Sequence, residues 1–554
     1  MKFMTDKASV ILFFLWFTPF SFTQWSSDPN TNIEVSKWGM LVTACSDDSG
    51  GVFVGWKNFS YEHTRAYLQY VDKYGNIKWN EPLIILDKGN MQSQPYLIED
   101  GNGNCIAIVD VMKAIGRDPD GRVEYDNNIH LQKIDRNGNR LWNIDSLRMT
   151  LSAARQSIPL FVSDGKGGVL LFWGETRGVP GNYWGKKFIQ RISANGERLL
   201  SDTGKVVADS LGAGIKPLMV SDGDGGVIIY YGSINSSFFE RLDSNGNSLW
   251  KVKSMFGYEF YEEMISLNKQ GVFVTGRLRK SGKIERDYIF NIIDIHGNFL
   301  ENTAGISYVD SVVDHYSFYS KSFFDSAKNE IMTNYYHDNL EQLYYQRITL
   351  DGKLKYEKPG KQAPGGLAIE SDSSYIFWDI INIDGIESIT CFRIDGNDNY
   401  IWGQEGKTIS TTTITGYAEI SDKKGGFILV WAEYEPLYGI KAQQINKNGQ
   451  LGVVLTKIED NNSSFDLKDF TLYQNYPNPF NPTTRIQYSL NNRQYVSLKI
   501  YDVLGNELVT LVNEVQPAGV YKVGFDATAF SSGVYFYQLR QNNSVITKKM
   551  VLVK

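Results

Sequence analysis

Short apolar runs with a period-two character recur along the chain, and each follows an acidic-glycine turn. The clearest are Val52-Phe53-Val54-Gly55-Trp56, Val169-Leu170-Leu171-Phe172-Trp173, Val227-Ile228-Ile229-Tyr230-Tyr231 and Phe427-Ile428-Leu429-Val430-Trp431. Runs this short and this apolar suit strands buried on both faces. The turns that precede such runs are Ser46–Gly51, Glu99–Gly103, Ser163–Gly168, Ser221–Gly226 and Ser421–Gly426. Degraded copies stand at Asn268–Gly271, Asp325–Asn329 and Ser371–Ser374, which makes eight.

A second signal alternates with the first. Leu131–Trp142 is its best copy, and Leu68–Trp79, Ile189–Leu200, Phe239–Trp250, Phe290–Leu300, Tyr345–Tyr356, Cys391–Trp402 and Gln443–Leu451 follow it. Asn-Gly or Asp-Gly at the apex predicts a tight primed hairpin turn, because those residues accept positive φ. Gln69, Gln132, Gln190, Gln346 and Gln443 recur on the strand before the turn, where a structural hydrogen bond between sheets is expected rather than a ligand contact. Each unit therefore reads as four antiparallel strands, at a spacing of roughly 46 to 64 residues. The chain is predicted to be all-β, with about eight blades of a β-propeller and seven as the alternative. The Gly-His and Trp-Asp markers of WD repeats are missing, and so is a sialidase Asp-box.

At 554 residues the chain is too long for one ordinary core. Its net charge of −6 argues against a nucleic-acid partner. Eight basic and four acidic residues from Phe470 onward make the tail about +4, so the body is strongly acidic. Residues 1–23 read as a signal peptide: Lys2 and Lys7, an apolar Ala8–Phe20, then Ser21-Phe22-Thr23. No other stretch approaches the roughly 20 apolar residues of a spanning helix, so no transmembrane segment is expected in the mature chain. Cys45, Cys105 and Cys391 are too few and too scattered for a disulfide framework and read as buried apolar residues.

The chemistry is thinner. First and third connections of each unit are short turns, whereas the second is long at Val111–Asn128, Gly174–Lys187, Arg277–Asp287 and Asp379–Glu387. Variable loops on a rigid scaffold are where binding concentrates. Arg117, Asp118 and Asp120, then Arg177, Tyr183 and Trp184, then Arg277 and Arg279 are the candidate ligand-binding residues. Aromatic platforms with Arg and Asp suit a glycan or a protein segment. The acidic turns offer at most two carboxylates each, too few for a calcium loop, and the five His have no metal-ligand spacing. No metal, cofactor or catalytic residue is expected, with no nucleophile elbow, phosphate loop or dinucleotide fingerprint. A non-catalytic binding or adhesion module is favoured. A carbohydrate-active hydrolase or lyase and a structural surface-layer component are the alternatives.

The pattern changes near residue 465. Residues 461–469 read as a linker between a body at 24–460 and a tail at 470–554. The tail alternates as seven short strands, near 470–474, 483–489, 495–502, 506–513, 519–526, 533–540 and 544–553, the pattern of a small Ig-like antiparallel sandwich. It opens on Asn475-Tyr476-Pro477-Asn478-Pro479-Phe480-Asn481-Pro482, carries Gly505 and Gly533, and ends on Lys548-Lys549-Met550-Val551-Leu552-Val553-Lys554. This arrangement resembles the C-terminal sorting domain of type IX secretion cargo. The resemblance implies export to the periplasm, then passage through an outer-membrane translocon that reads the tail. It also implies a sortase-like peptidase that removes the tail and attaches the body to the surface, so the product is secreted or held on the outer cell surface.

Overall fold

The computed structural model describes residues 25–452 and 471–554, apart from short internal stretches that include 118–122, 177–184, 280–284 and 314–319. The signal-peptide and linker expectations lie outside the described residues. Contacts divide the chain into two units, residues 1–455 and 456–554.

The first unit is all-β, built from eight successive antiparallel sheets. Sheet 1 comprises Met40–Ser46, Val52–Lys57, Ala66–Val71 and Leu83–Ile84. Sheet 2 runs Tyr96–Glu99, Cys105–Arg117, Val123–Ile134 and Leu147–Arg148, and sheet 3 runs Leu160–Ser163, Val169–Thr176, Lys186–Ile192 and Lys205–Ala208. A two-residue strand, Met91–Gln92 or Arg155–Gln156, adds to each of these two. Sheet 4 holds Leu218–Ser221, Val227–Ser233, Ser236–Leu242 and Ser248–Lys253, and sheet 5 holds Tyr261–Ser266, Gly271–Arg279, Glu285–Asp294 and Ile306–Val313. Sheet 6 is Ser320–Asp325, Glu330–His337, Gln342–Thr349 and Lys361–Gln362, and sheet 7 is Gly366–Ser371, Ser374–Ile383, Ile386–Ile394 and Lys407–Ser410. Sheet 8 takes Ile414–Ser421, Phe427–Glu433 and Ile440–Ile445 from the end of the unit, and its outer strand, Ile33–Ser36, from the beginning.

The apolar runs explain how the sheets join. Side chains alternate across a strand, so a run without polar residues feeds two cores at once. Ile228 and Tyr230 pack toward sheet 5, while Val227, Ile229 and Tyr231 pack toward sheet 3. Every neighbouring pair of sheets shares such a core, and Val42, Val54, Ile428 and Val430 join sheet 8 to sheet 1. First strands also touch in succession from sheet to sheet, and that of sheet 8 touches that of sheet 1.

The hairpin turns differ from the primed turns expected. Each apex has one residue at positive φ, a glycine in most copies, as at Gly75, Gly138 and Gly196 (φ 84° in each), and Asp398 (φ 67°) in sheet 7. The loop is a three-residue turn whose last residue is left-handed. The reason is the aspartate before it. Asp135 Oδ1 accepts the N–H groups of Asn137 and Asn139 at 2.9 and 2.8 Å, which wraps the loop around its carboxylate. Gly196 has a further reason to lack a side chain: Trp142 of the preceding sheet lies against it, 2.8 Å from where a Cβ would be.

The repeated glutamines are structural, but they act within one sheet rather than between sheets. Gln69 Nε2 donates to Trp79 O at 2.9 Å, and its Oε1 accepts from Tyr70 N and Trp79 N. Gln346 and Gln190 repeat this bond to Tyr356 O and Ser201 O. In sheet 8 the acceptor is Ser26 O, so the N-terminal segment takes the place of the missing fourth segment.

The second unit has a three-stranded and a four-stranded antiparallel sheet. Thr483–Leu490, Gln494–Tyr501, Glu507–Gln516, Gly519–Asp526, Gly533–Gln541 and Ser544–Leu552 fall close to the strands expected from alternation. Ile486 and Tyr488 of one sheet and Leu498, Ile500 and Leu539 of the other share a single core.

Candidate functional site

The two faces of the body use charge differently. On the face of the first and third connections, each acidic turn is closed by its own aspartate. Asp164 Oδ1 accepts from Lys166 N and Gly168 N at 2.8 and 2.7 Å, while Oδ2 meets Arg191 Nη2 at 2.9 Å. Asp222 with Arg241 and Asp100 with Lys133 repeat the pair at 2.8 and 2.6 Å. Burial alone would raise the Asp47 carboxyl, yet hydrogen bonds from Ser49, Tyr70 and Gly51 outweigh it and hold it below its ordinary range. These aspartates are saturated by protein donors. That removes them as calcium ligands, and no cluster of metal-binding side chains occurs among the described residues.

Tryptophan side chains cross the sheet junctions on the same face. Trp79, Trp142, Trp250 and Trp402 each donate Nε1 to a carbonyl in the next sheet's turn, at 3.1, 2.9, 2.8 and 3.1 Å. Trp25 does the same from sheet 8 to Lys73 O of sheet 1 at 3.2 Å.

The opposite face is irregular, and there a cleft of about 320 Å³ opens among sheets 6, 7 and 8. Tyr336, Leu343, Trp378, Asp379, Tyr417 and Glu419 line it, with Gly366 and Ile380. Trp378 and Tyr417 meet edge to face, ring centroids 4.7 Å apart, and Tyr417 is 46% exposed. Glu419 is fixed by two donors: Trp378 Nε1 at 2.7 Å on Oε1, and Lys321 Nζ on Oε2. Lys321 comes from the first strand of sheet 6, so this contact passes over sheet 7. Burial pushes its ammonium down to about 8, against the pull of Glu263. Glu263, on the first strand of sheet 5, accepts from Ser322 N and Ser322 Oγ at 2.8 and 2.6 Å, and desolvation raises its carboxyl. Asp379 differs from both. It opens to solvent on one side, and the protein on the other side raises its carboxyl by desolvation. Among the described residues its hydrogen-bond partner is the Ile380 N–H at 2.8 Å.

Of the expected binding residues, the three described ones do not line this cleft. Asp118, Asp120, Arg177, Tyr183 and Trp184 lie outside the described residues. Arg117 ends the second strand of sheet 2. Arg277 and Arg279 stand on sheet 5, where Arg277 pairs with Glu262 at 2.6 Å. Sheets 2 and 5 are not neighbours. The described parts of three long connections are strand: Val111 pairs with Asn128 and Arg117 with Val123, Arg277 with Tyr288, and Asp379 with Thr390. Their side chains lose the apolar period because they rise beyond the packed core, but backbone pairing continues without it.

Comparing repeats with one another would have exposed the cleft. Three residues before the turn aspartate, the first strands carry Ala44, Leu97, Phe161 and Met219, and only sheet 8 carries a charge, Glu419. One position earlier Glu263 and Lys321 interrupt Thr43, Tyr96, Leu160 and Leu218 in the same way.

The tail brings the two ends of its motif together. Phe480 N donates to Val551 O, and Val553 N donates to Phe480 O, both at 2.9 Å, so the proline-rich opening pairs in parallel with the last strand. Val551 N also donates to Asn478 Oδ1 at 2.8 Å. Asn475 is buried, and its backbone N–H donates to Tyr537 OH at 2.7 Å. Gly505, at φ 84°, closes an Asp502–Asn506 turn like those of the body. Gly533 starts a strand opposite Leu552, Lys549 is exposed, and Lys554 Nζ reaches Thr528 O at 2.7 Å. Asn481 and Pro482 lead into the first long strand, while Tyr476, Pro477 and Pro479 lie outside the described residues. Residues 474–554 match the family model of the secretion system C-terminal sorting domain. The tail is a type IX sorting domain. The chain it ends is therefore type IX cargo, delivered to the cell surface or beyond it. No helix among the described residues is long and apolar enough to cross a membrane.

Upstream of the sorting domain the comparisons are looser. No protein of curated function matches the chain in sequence. A protein of unknown function from Dyadobacter fermentans is similar at 10% identity and a TM-score of 0.32, over 75% of this chain and 95% of that one. The β-propeller domain of the trilobed protease from Pyrococcus furiosus is similar at 12% identity and 0.36, over 64% and 94%. A polysaccharide lyase of the ulvan lyase family is similar at 12% identity and 0.35, over 78% and 97%. At these scores none of the likenesses assigns a function.

Proposed function

We propose that residues 24–460 form a closed eight-bladed β-propeller, and that the sorting domain carries it to the cell surface, where the cleft of sheets 6, 7 and 8 binds a glycan. Eight shared cores, with one between sheet 8 and sheet 1, support eight blades over seven. The observation that carries the binding reading is the cleft itself: exposed Tyr417 beside Trp378 and Tyr336, with Asp379 at its side. Aromatic faces give area without much lost side-chain entropy, and a carboxylate orients a hydroxyl-rich partner. Titrating the full chain against a glycan array tests this. Tyr417→Ala should weaken the best binder about tenfold; an array on which the wild type binds nothing rejects it.

An enzymatic reading comes second, favoured by a raised Asp379 carboxyl in the same cleft as Glu419. Against it, both Glu419 oxygens are already engaged by Trp378 and Lys321. Release of reducing ends that Asp379→Asn abolishes would decide for the enzyme.

For the export path, residues 1–23 act as the signal peptide and the tail, a small Ig-like sandwich, addresses the translocon and the sortase-like peptidase. Removing Thr547–Lys554 takes away Met550 and Leu552 from the core and the partner of Phe480. The truncated protein is expected to stay in the periplasm, and its appearance outside at the normal level would refute the reading.

A further inference from the structure

We propose that the cleft of sheets 6, 7 and 8 selects an amino sugar, whose protonated amine pairs with Asp379 while the ring lies on Tyr417. The inference rests on the glycan reading and adds the charge of the ligand. Three observations carry it.

The first is that the charges of the cleft do not cancel. Glu419 is neutralised by Lys321, and its other oxygen is taken by Trp378 Nε1 at 2.7 Å. Asp379 has no such counter-ion among the described residues, where its hydrogen-bond partner is a backbone N–H at 2.8 Å. A carboxylate accepts at several lone-pair sites, so most of its capacity faces the cleft. The second is that no cation lines the cleft among the described residues, so a uronic acid or sulfated sugar would meet Asp379 without compensation. Like-charge contact of that kind disfavours binding even where shape fits. The third is the aromatic wall. Tyr336, Trp378 and Tyr417 present π-faces or edges around the same space, and an ammonium near an aromatic face gains further attraction. A neutral sugar would use the platform and offer Asp379 hydroxyls but no counter-charge.

A matched pair of ligands isolates the charge. Glucosamine oligomers and their N-acetylated counterparts have the same ring and linkage, and acetylation removes the cation. Calorimetric titration of the full chain below neutral pH should show the free amine bound about tenfold more tightly, the size of one charge-assisted contact. Asp379→Asn should bring the two ligands to equal affinity, and Tyr417→Ala should weaken both. Equal affinity in the wild type would overturn the amine inference and leave the glycan site standing. If neither oligomer binds, the amine inference and the glycan reading fall together. Binding of oligolysine in place of both sugars would overturn the amino-sugar assignment and identify a cationic peptide instead.

Discussion

The two faces of the body are made by the same sheets and follow opposite rules. On the turn face, aspartates close the acidic turns, a cation from the third strand completes them in sheets 2, 3 and 4, and a tryptophan reaches the next sheet at five of the junctions. On the cleft face, sheets 6, 7 and 8 place a lysine, an aspartate and a glutamate where other repeats hold apolar residues or simple strand ends. Repetition marks where the fold is held together, and departure from it marks where the molecule has a particular task. The two faces should therefore answer to mutation in different currencies, stability on one and affinity on the other.

The largest effect should come from Asp164→Ala. It leaves a largely buried Arg191 without its counter-ion and two turn N–H groups without an acceptor, at a site where the carboxylate is 1% exposed. Breaking a buried pair from one side costs about 3–5 kcal/mol, which denaturant titration of the body would register as a lowered midpoint. A loss below about 1 kcal/mol would show that the turn closes without its carboxylate.

The same face should fail in acid. Asp47, Asp100, Asp294 and Asp395 all have carboxyls held below the ordinary range, in each case because turn hydrogen bonds outweigh desolvation or act with little of it. A carboxyl with a lower pKa folded than unfolded contributes stability above its unfolded value and loses it as pH falls through the folded one. Stability of the body should thus hold down to about pH 4 and decline below it. A thermal midpoint that stays flat or rises below that pH would contradict the role given to these turns.

Much of this contrast is visible in the sequence, and the reasons are physical. Runs such as Val227–Tyr231 announce a strand with two buried sides, and the alternation Val496, Leu498, Ile500 announces one with a single buried side. Strand positions in the sorting domain follow from that alternation to within a few residues. Three things were not legible. Asn-Gly alone does not set the turn type, because the carboxylate of the aspartate two residues earlier shapes the loop. The long connections looked irregular because period-two apolarity stops where the core stops, although pairing continues to Arg117 and Val123. The cleft was missed because its walls come from three sheets, and no single repeat contains it. Glu419 was still detectable as the one charge in a column of apolar residues.

A junction that lacks its tryptophan offers a smaller and constructive test. Sheet 5 has Glu301 where sheets 1, 2, 4 and 7 have Trp79, Trp142, Trp250 and Trp402, and a groove of about 230 Å³ lies at this junction, lined by Leu267, Ile292, Phe299, Leu300 and Leu350. Glu301→Trp should fill part of it and bring an indole N–H toward the Leu350 carbonyl, the counterpart of the acceptors at the other junctions. Filling a groove of this kind gives about 1 kcal/mol. Destabilisation instead would mean that the sheet 5 and sheet 6 junction is already packed around leucine.

The smallest expected stability change is the one that separates the faces most sharply. Tyr417 is 46% exposed and touches Trp378 at its edge, so truncating it removes surface that water already reaches. Tyr417→Ala should change the unfolding free energy by no more than about 0.5 kcal/mol, the ordinary range for an exposed position. The same substitution should cost ligand affinity about tenfold, which is roughly 1.4 kcal/mol. Measuring both on one protein preparation gives a ratio, and Asp164→Ala should give the inverse ratio at its own face. If Tyr417→Ala unfolds the body as readily as it weakens binding, the cleft is part of the scaffold and the contrast between the faces disappears.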